Sequence, residues 1–163
     1  MGEQILLDPD DEGTGSELDI TDPQLGYFLL SHEYPDPEPD VVMTGSIDTE
    51  GERPAAGKHK PRTITVTVRC VEPAGGDPEI GTIVATLQSK IGKLFREGGT
   101  YRRILPSGDA ITFDVQRFGA RIRVPADKRW VARKAADVTM TFTCEPYGRG
   151  AEVQCELHTE DTA

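Results

Sequence analysis

One helical stretch set among strand-like runs restricts what this chain can fold into more than any other feature. In DPEIGTIVATLQSKIGKLFREGG, residues Asp77–Gly99, the apolar positions are Ile80, Ile83, Val84, Leu87, Ile91, Leu94 and Phe95. That spacing lines one face of a helix with about 3.6 residues per turn. Thr82, Gln88, Ser89 and Lys93 lie on the other face, so the pattern predicts a surface helix that buries one side. Asp77 is a good N-cap, Pro78 suits the first helical position, and Glu79 complements the positive end of the helix dipole. Lys90, Lys93 and Arg96 suit the negative end, and Gly98 and Gly99 supply a stop. Gly81 and Gly92 oppose the helix by about 1 kcal/mol each relative to Ala.

The apolar face of that helix needs a cover, and the remaining sequence offers strands. RTITVTVRC, Arg62–Cys70, alternates Ile64, Val66, Val68 and Cys70 with Thr63, Thr65, Thr67 and Arg69. DVTMTFTC, Asp137–Cys144, repeats the pattern with Val138, Met140, Phe142 and Cys144 against threonines. Such period-2 alternation predicts an antiparallel sheet with one apolar and one polar face. Thr100–Leu105 and Ala110–Phe118 flank Pro-Ser-Gly-Asp, a hairpin signal. Ala120–Val124, after Gly119, and Arg129–Arg133, after the turn PADK, read as two further strands. Leu6 and Leu7 support a short strand, and the apolar run within Gln24–Tyr34 a longer one that pairs with a sheet. The tract PDPEPD, Pro35–Asp40, excludes helix and central strand, because each proline removes a donor. Val41–Ile47 reads as a strand and Asp48–Pro61 as a long, turn-rich loop. The expected fold is mainly β with one helix (α+β), an antiparallel sandwich or barrel with a single amphipathic helix packed on it. Three regions follow: an acidic, proline-rich arm over 1–40, a β-sandwich domain over 41–150 and a tail over 151–163.

Charge divides the chain more sharply than its net value of −10 suggests. Residues 1–52 hold 15 Asp and Glu and no Lys or Arg, so all 18 cations lie beyond them. Such a bipolar chain fits either a solvated acidic leader or an acidic part of one copy meeting the basic part of another, as in a head-to-tail ring. The three cysteines, Cys70, Cys144 and Cys155, are odd in number and lack a CxxC pair, which favours neither a disulfide framework nor a zinc knuckle. No long apolar run or signal-like segment is present, so a soluble product and no membrane binding are expected.

Candidate chemistry is sparse. His32, His59 and His158 stand far apart with no metal-ligand spacing. Cys70 and Cys144 fall on apolar strand faces, where thiols are inert. The carboxylates concentrate in the leader, with nothing to hold an acid–base pair at a fixed separation. Gly75 and Gly76 precede the helix, but Asp77 and Glu79 repel an anion there. No catalytic residue, cofactor or metal is expected, and the chain does not read as an enzyme. The segment 90–134 carries twelve cations against Glu97, Asp109, Asp114 and Asp127, interleaved with Tyr101, Phe113, Phe118 and Trp130. That texture offers a nucleic-acid-binding module as one alternative.

Taken together, RTITVTVRC, the helix with LQSKIGKLF, the pair YRRILPSGDAITFDV and the closing VTMTFTCEPYG resemble the N-terminal domain of distal tail proteins of long-tailed bacteriophages, often called minor tail proteins. The likeness spans roughly residues 41–150 and rests on the order and hydrophobic texture of the elements. It implies a structural virion protein at the phage tail tip, made in the host bacterial cytoplasm. Copies of such a protein form a homo-hexameric ring that joins the tail-tube protein to the tail-tip hub and leaves a channel for the tape measure protein and DNA. The second, carbohydrate-binding-like domain of many relatives has no counterpart after Tyr147, so receptor binding is not implied. DNA is expected to pass without specific binding along an acidic lining, since like charge repels a polyanion. A tail-tube or tail-terminator ring subunit is the nearest alternative, with the Asp48–Pro61 loop reaching the next ring. Arg62, Arg102, Arg103 and Arg121 are the interface candidates.

Overall fold

The alternation in Arg62–Val71 and Ala135–Cys144 has the consequence that the pattern predicts: both are strands, and they pair with each other along their whole length. The computed structural model describes residues 2–9, 17–36, 38, 42–45, 52–55 and 59–150. Its strands, in chain order, are β1 (Gln4–Pro9), β2 (Leu18–Asp19), β3 (Tyr27–Glu33), β4 (Val42–Gly45), β5 (Glu52–Ala55), β6 (Arg62–Val71), β7 (Gly99–Ile104), β8 (Ala110–Arg123), β9 (Ala135–Cys144) and β10 (Arg149–Gly150). Helix α1 (Ile80–Glu97) lies between β6 and β7, and a short α2 (Arg129–Arg133) between β8 and β9. One antiparallel sheet runs β2-β1-β7-β8-β9-β6-β3, with β10 also on β8, while β4 and β5 form a separate two-stranded hairpin. The protein is therefore mainly β, of α+β type, with one main helix.

The core lies between α1 and the apolar face of the sheet. Ile64 stands opposite Phe142, Val66 opposite Met140 and Val68 opposite Val138, all fully buried. From α1, Ile80, Ile83, Val84, Leu87, Ile91 and Leu94 are buried, and Phe95 is half-buried at the margin. Each such aliphatic side chain contributes about 1.5–3 kcal/mol through removal of apolar surface from water. Tyr27 ties β3 to the helix by donating its hydroxyl to the Ile83 carbonyl at 3.1 Å.

Several boundaries differ from the sequence expectation, each for a local reason. Helix α1 starts at Ile80 rather than at Pro78, and Asp77 does not cap it. The Glu72 carboxylate, just beyond β6, accepts the Ile80 N–H at 3.1 Å, so the cap comes from a residue eight positions away. Arg129–Arg133 is a single helical turn instead of a strand: Asp127 Oδ1 accepts the Arg129 N–H at 3.0 Å, and Lys134, at φ 57°, closes the turn. Ala110–Arg123 is one strand, not two, because β8 absorbs the Gly119 interruption as a bulge between Val115 and Ala120. A Cβ on Gly119 would lie 2.7 Å from the Thr143 carbonyl oxygen, so the bulge needs glycine there. Glu52–Ala55, expected within a loop, pairs with β4.

Residues of the acidic arm enter the main sheet: β1, β2 and β3 all lie within the first 33 residues. The segment 151–163 falls outside the described residues.

Candidate interaction surface

Strand alternation places Tyr101 and Arg103 of β7 on one side and Arg102 on the other. On the inner side, at one end of the sheet, a cluster forms that links the end of β3 to β6, β7, β8 and the residue before β1. Tyr34, directly after β3, stacks on Phe113 of β8 with ring centroids 6.1 Å apart, and its hydroxyl lies 2.6 Å from that of Tyr101. The Arg103 guanidinium sits 4.4 Å from the Tyr34 ring centroid and forms an ion pair with Glu3. Glu3 Oε2 in turn lies 3.3 Å from His32 Nε2 of β3. Arg62, at the start of β6, places its guanidinium 5.4 Å from the Phe113 ring centroid. Its Nε is buried without a hydrogen-bond partner among the described residues. Burial pushes the Tyr34 phenol up to about 12, against the hydrogen bond to Tyr101 and the charge of Arg103, and raises Tyr101 further. These phenols stay neutral and act as packing and hydrogen-bonding groups.

Of the four arginines singled out from the sequence, two therefore meet at one cluster and grip the same ring pair. Arg102 is exposed on the opposite side, 3.6 Å from Glu17. Arg121 lies apart, on the far half of β8, with its guanidinium 5.7 Å from the Phe95 ring centroid.

A second cluster surrounds Arg121. The β8 bulge turns Phe118 outward at φ 66°, 56% exposed, and its ring meets Phe95 of α1 edge-on at 5.3 Å. Arg117 donates from Nε to the Arg96 carbonyl at 2.8 Å and holds its guanidinium 5.1 Å from the Phe118 ring centroid. Between α1 and β8 runs an open groove of about 280 Å³, whose apolar floor includes Ile91, Ala120 and Ile122 and whose rim carries Arg96 and Arg121. Arg121 and Arg123 make no ion pair among the described residues. Such a surface suits an apolar segment flanked by acidic groups.

The polar sheet face is a threonine array. Thr63 stands opposite Thr143, Thr65 opposite Thr141 and Thr67 opposite Thr139, and Arg69 chelates Asp137 with bonds of 2.8 and 3.2 Å at the end of the rows. That chelation holds the Asp137 carboxyl below the usual range.

Cys70 and Cys144 are buried free thiols, both pushed up to about 12 by burial. Among the described residues no group of three or more His, Cys, Asp or Glu is placed to hold a metal ion, and no helix is long and apolar enough to cross a membrane. Sequence pattern singles out Phe118 only as one aromatic of the basic segment, and it gives no sign of Glu3 or Tyr34 as members of these clusters. Their partners lie far along the chain or depend on a bulge, and neither leaves a periodic signal.

No family model matches this sequence, and no curated protein matches it significantly.

Proposed function

We propose that this chain is a structural ring subunit of a bacteriophage tail, at the distal tip, where it joins the tail tube to the tip hub around a channel. The observation that carries the reading is that the four segments behind the resemblance pack as one unit. β6, α1, the β7–β8 hairpin and β9 form one antiparallel sheet with a helix on it. A ring subunit needs lateral surfaces that recognise a neighbouring copy, and the bipolar charge of the chain supplies opposite signs for them. The tube protein, the hub and the tape measure are the partners in this reading, and DNA crosses the channel without specific binding.

Light-scattering mass and particle images of the purified protein test it. A six-fold ring supports the proposal, and a monomer at the highest soluble concentration refutes it. A tail-tube or terminator subunit would form a ring as well, and would stack on further copies of itself into tubes. A nucleic-acid-binding module is favoured by one observation, the exposed Phe118 between Arg117 and Arg121. Filter binding in rising salt separates it from the ring: tight binding lost steeply with salt supports the module, and no binding supports the ring.

A further inference from the structure

We infer that copies of this chain associate head to tail, with the β3 edge of one copy seated in the groove between α1 and the Ala120–Arg123 half of β8 of the next. The inference takes ring closure from the function proposed above, but the contact itself rests on the two surfaces. Among the described residues, β3 ends the sheet and pairs only with β6, so one side of its backbone carries unpaired N–H and C=O groups. Tyr27 N–H donates to the Asp22 carbonyl at 3.1 Å, and the open edge beyond it is a template for another chain.

The side chains at that edge match the groove. Leu25, Phe28 and Leu30 are 43%, 43% and 45% exposed, and with Phe118 they make four of the six large apolar side chains exposed among the described residues. Leu30 is the extra residue of a bulge in β3, which interrupts the register with β6 between Leu29 and Ser31. Glu33 and Asp36 at the end of this edge are exposed and make no ion pair among the described residues. The groove offers what that edge lacks: an apolar floor of Ile91, Ala120 and Ile122, the Phe95–Phe118 pair, and Arg121 on the rim with Arg123 two residues on along β8, neither in an ion pair among the described residues. Apolar and acidic features thus lie at one lateral end of the β8–β9–β6–β3 run, and apolar and basic features at the other. Two copies of the β3 edge would bring like charges together, so an isologous pair of that edge is disfavoured.

Strand direction agrees. Each neighbour in the run is antiparallel, so β3 and β8 point in opposite directions. A copy related by rotation about an axis along the strands therefore brings its β8 to β3 in the antiparallel sense, the sense found throughout the sheet. Repetition of that rotation closes a ring.

The test compares the full chain with two double variants by light scattering, after circular dichroism and melting show that each is folded. Phe28→Lys with Leu30→Lys places cations against the arginine rim, and Arg121→Glu with Arg123→Glu places acids against Glu33 and Asp36. All four positions are exposed, so the fold tolerates the changes. The expected result is an assembly for the unaltered chain and a loss to the monomer mass of 17.8 kDa for each double variant. Loss in the β3 variant alone overturns the head-to-tail contact in favour of a pairing of β3 with itself. An assembly that both variants leave intact overturns the inference and leaves the ring reading standing. Open chains or dimers that both variants dissolve support the contact and refute the ring, whereas a monomeric unaltered chain refutes both.

Discussion

At the scale of single residues, the buried hydroxyls and thiols make the most definite demands. Tyr101 is fully buried and its hydroxyl meets only that of Tyr34 among the described residues. Tyr34→Phe leaves it without a partner, and thermal or urea unfolding should show a loss of about 1–3 kcal/mol. Tyr27, Tyr34, Cys70 and Cys144 all have pKa values raised by burial to about 12, from ordinary values of 10.0 for the phenols and 9.0 for the thiols. The folded state holds these protons longer than the unfolded state, so their contribution is complete below pH 9 and is lost as pH rises toward 12. Above its unfolded pKa each group costs about 1.4 kcal/mol per pH unit. Melting temperature should therefore fall steeply between pH 9 and 11, and less steeply in a Cys70→Ala, Cys144→Ala variant. Gly99, at φ 151°, is equally constrained: a Cβ there would lie 2.3 Å from the Asp8 carbonyl oxygen and 2.7 Å from Leu94 Cδ2. Gly99→Ala should destabilise by about 1–3 kcal/mol or more, visible as a lower urea midpoint.

At the scale of elements, α1 is the piece on which the sheet closes. Leu87 and Leu94 are fully buried, so Leu87→Ala and Leu94→Ala should each cost about 2–5 kcal/mol in denaturant unfolding. Unchanged stability in both would mean that this face is not core. The helix start is held from outside: Glu72 accepts the Ile80 N–H and lies 3.4 Å from Lys134 Nζ. Glu72→Ala should cost about 1 kcal/mol, the usual value of a lost N-terminal cap, and Asp77→Ala far less. Strand β8 matters because it serves two long neighbours, β7 along Ala110–Val115 and β9 along Ala120–Arg123, besides the short β10. The bulge between those halves turns Phe118 outward and leaves Arg121 over Phe95, so one backbone irregularity creates the groove beside α1.

At the scale of the whole molecule, the acidic first third does not stand apart from the basic remainder. Its strands join the sheet, and Glu3 and Glu17 meet Arg103 and Arg102 within the chain. Part of the bipolar charge is thus satisfied internally, while Glu33, Asp36, Arg121 and Arg123 make no ion pair among the described residues. Exposed charges attract across about 8–10 Å at moderate ionic strength and much less at high salt. Assembly should therefore weaken as salt rises, with a falling average mass in light scattering. Insensitivity to salt would place the contact on apolar surface alone.

The sequence by itself determined the helix, the two matched Thr/apolar strands, their buried faces and the mainly β class. These rest on periodicities of about 3.6 and 2 that every residue in the element repeats, so the signal accumulates along the chain. Thr63–Cys70 and Val138–Cys144 were legible for that reason, and so was the hairpin at Pro106–Asp109. Only the tertiary structure decided what depends on distant partners or on one residue's backbone. It set the cap from Glu72, the single-turn helix at Arg129–Arg133, and the bulge that merges two expected strands into β8. It also gathered Glu3, Tyr34, Arg62 and Arg103 from four separate segments into one cluster, and gave Arg102 and Arg121 separate surroundings. Charge and residue type can be read along a chain, but proximity arises only when loop closure brings separated strands into one sheet.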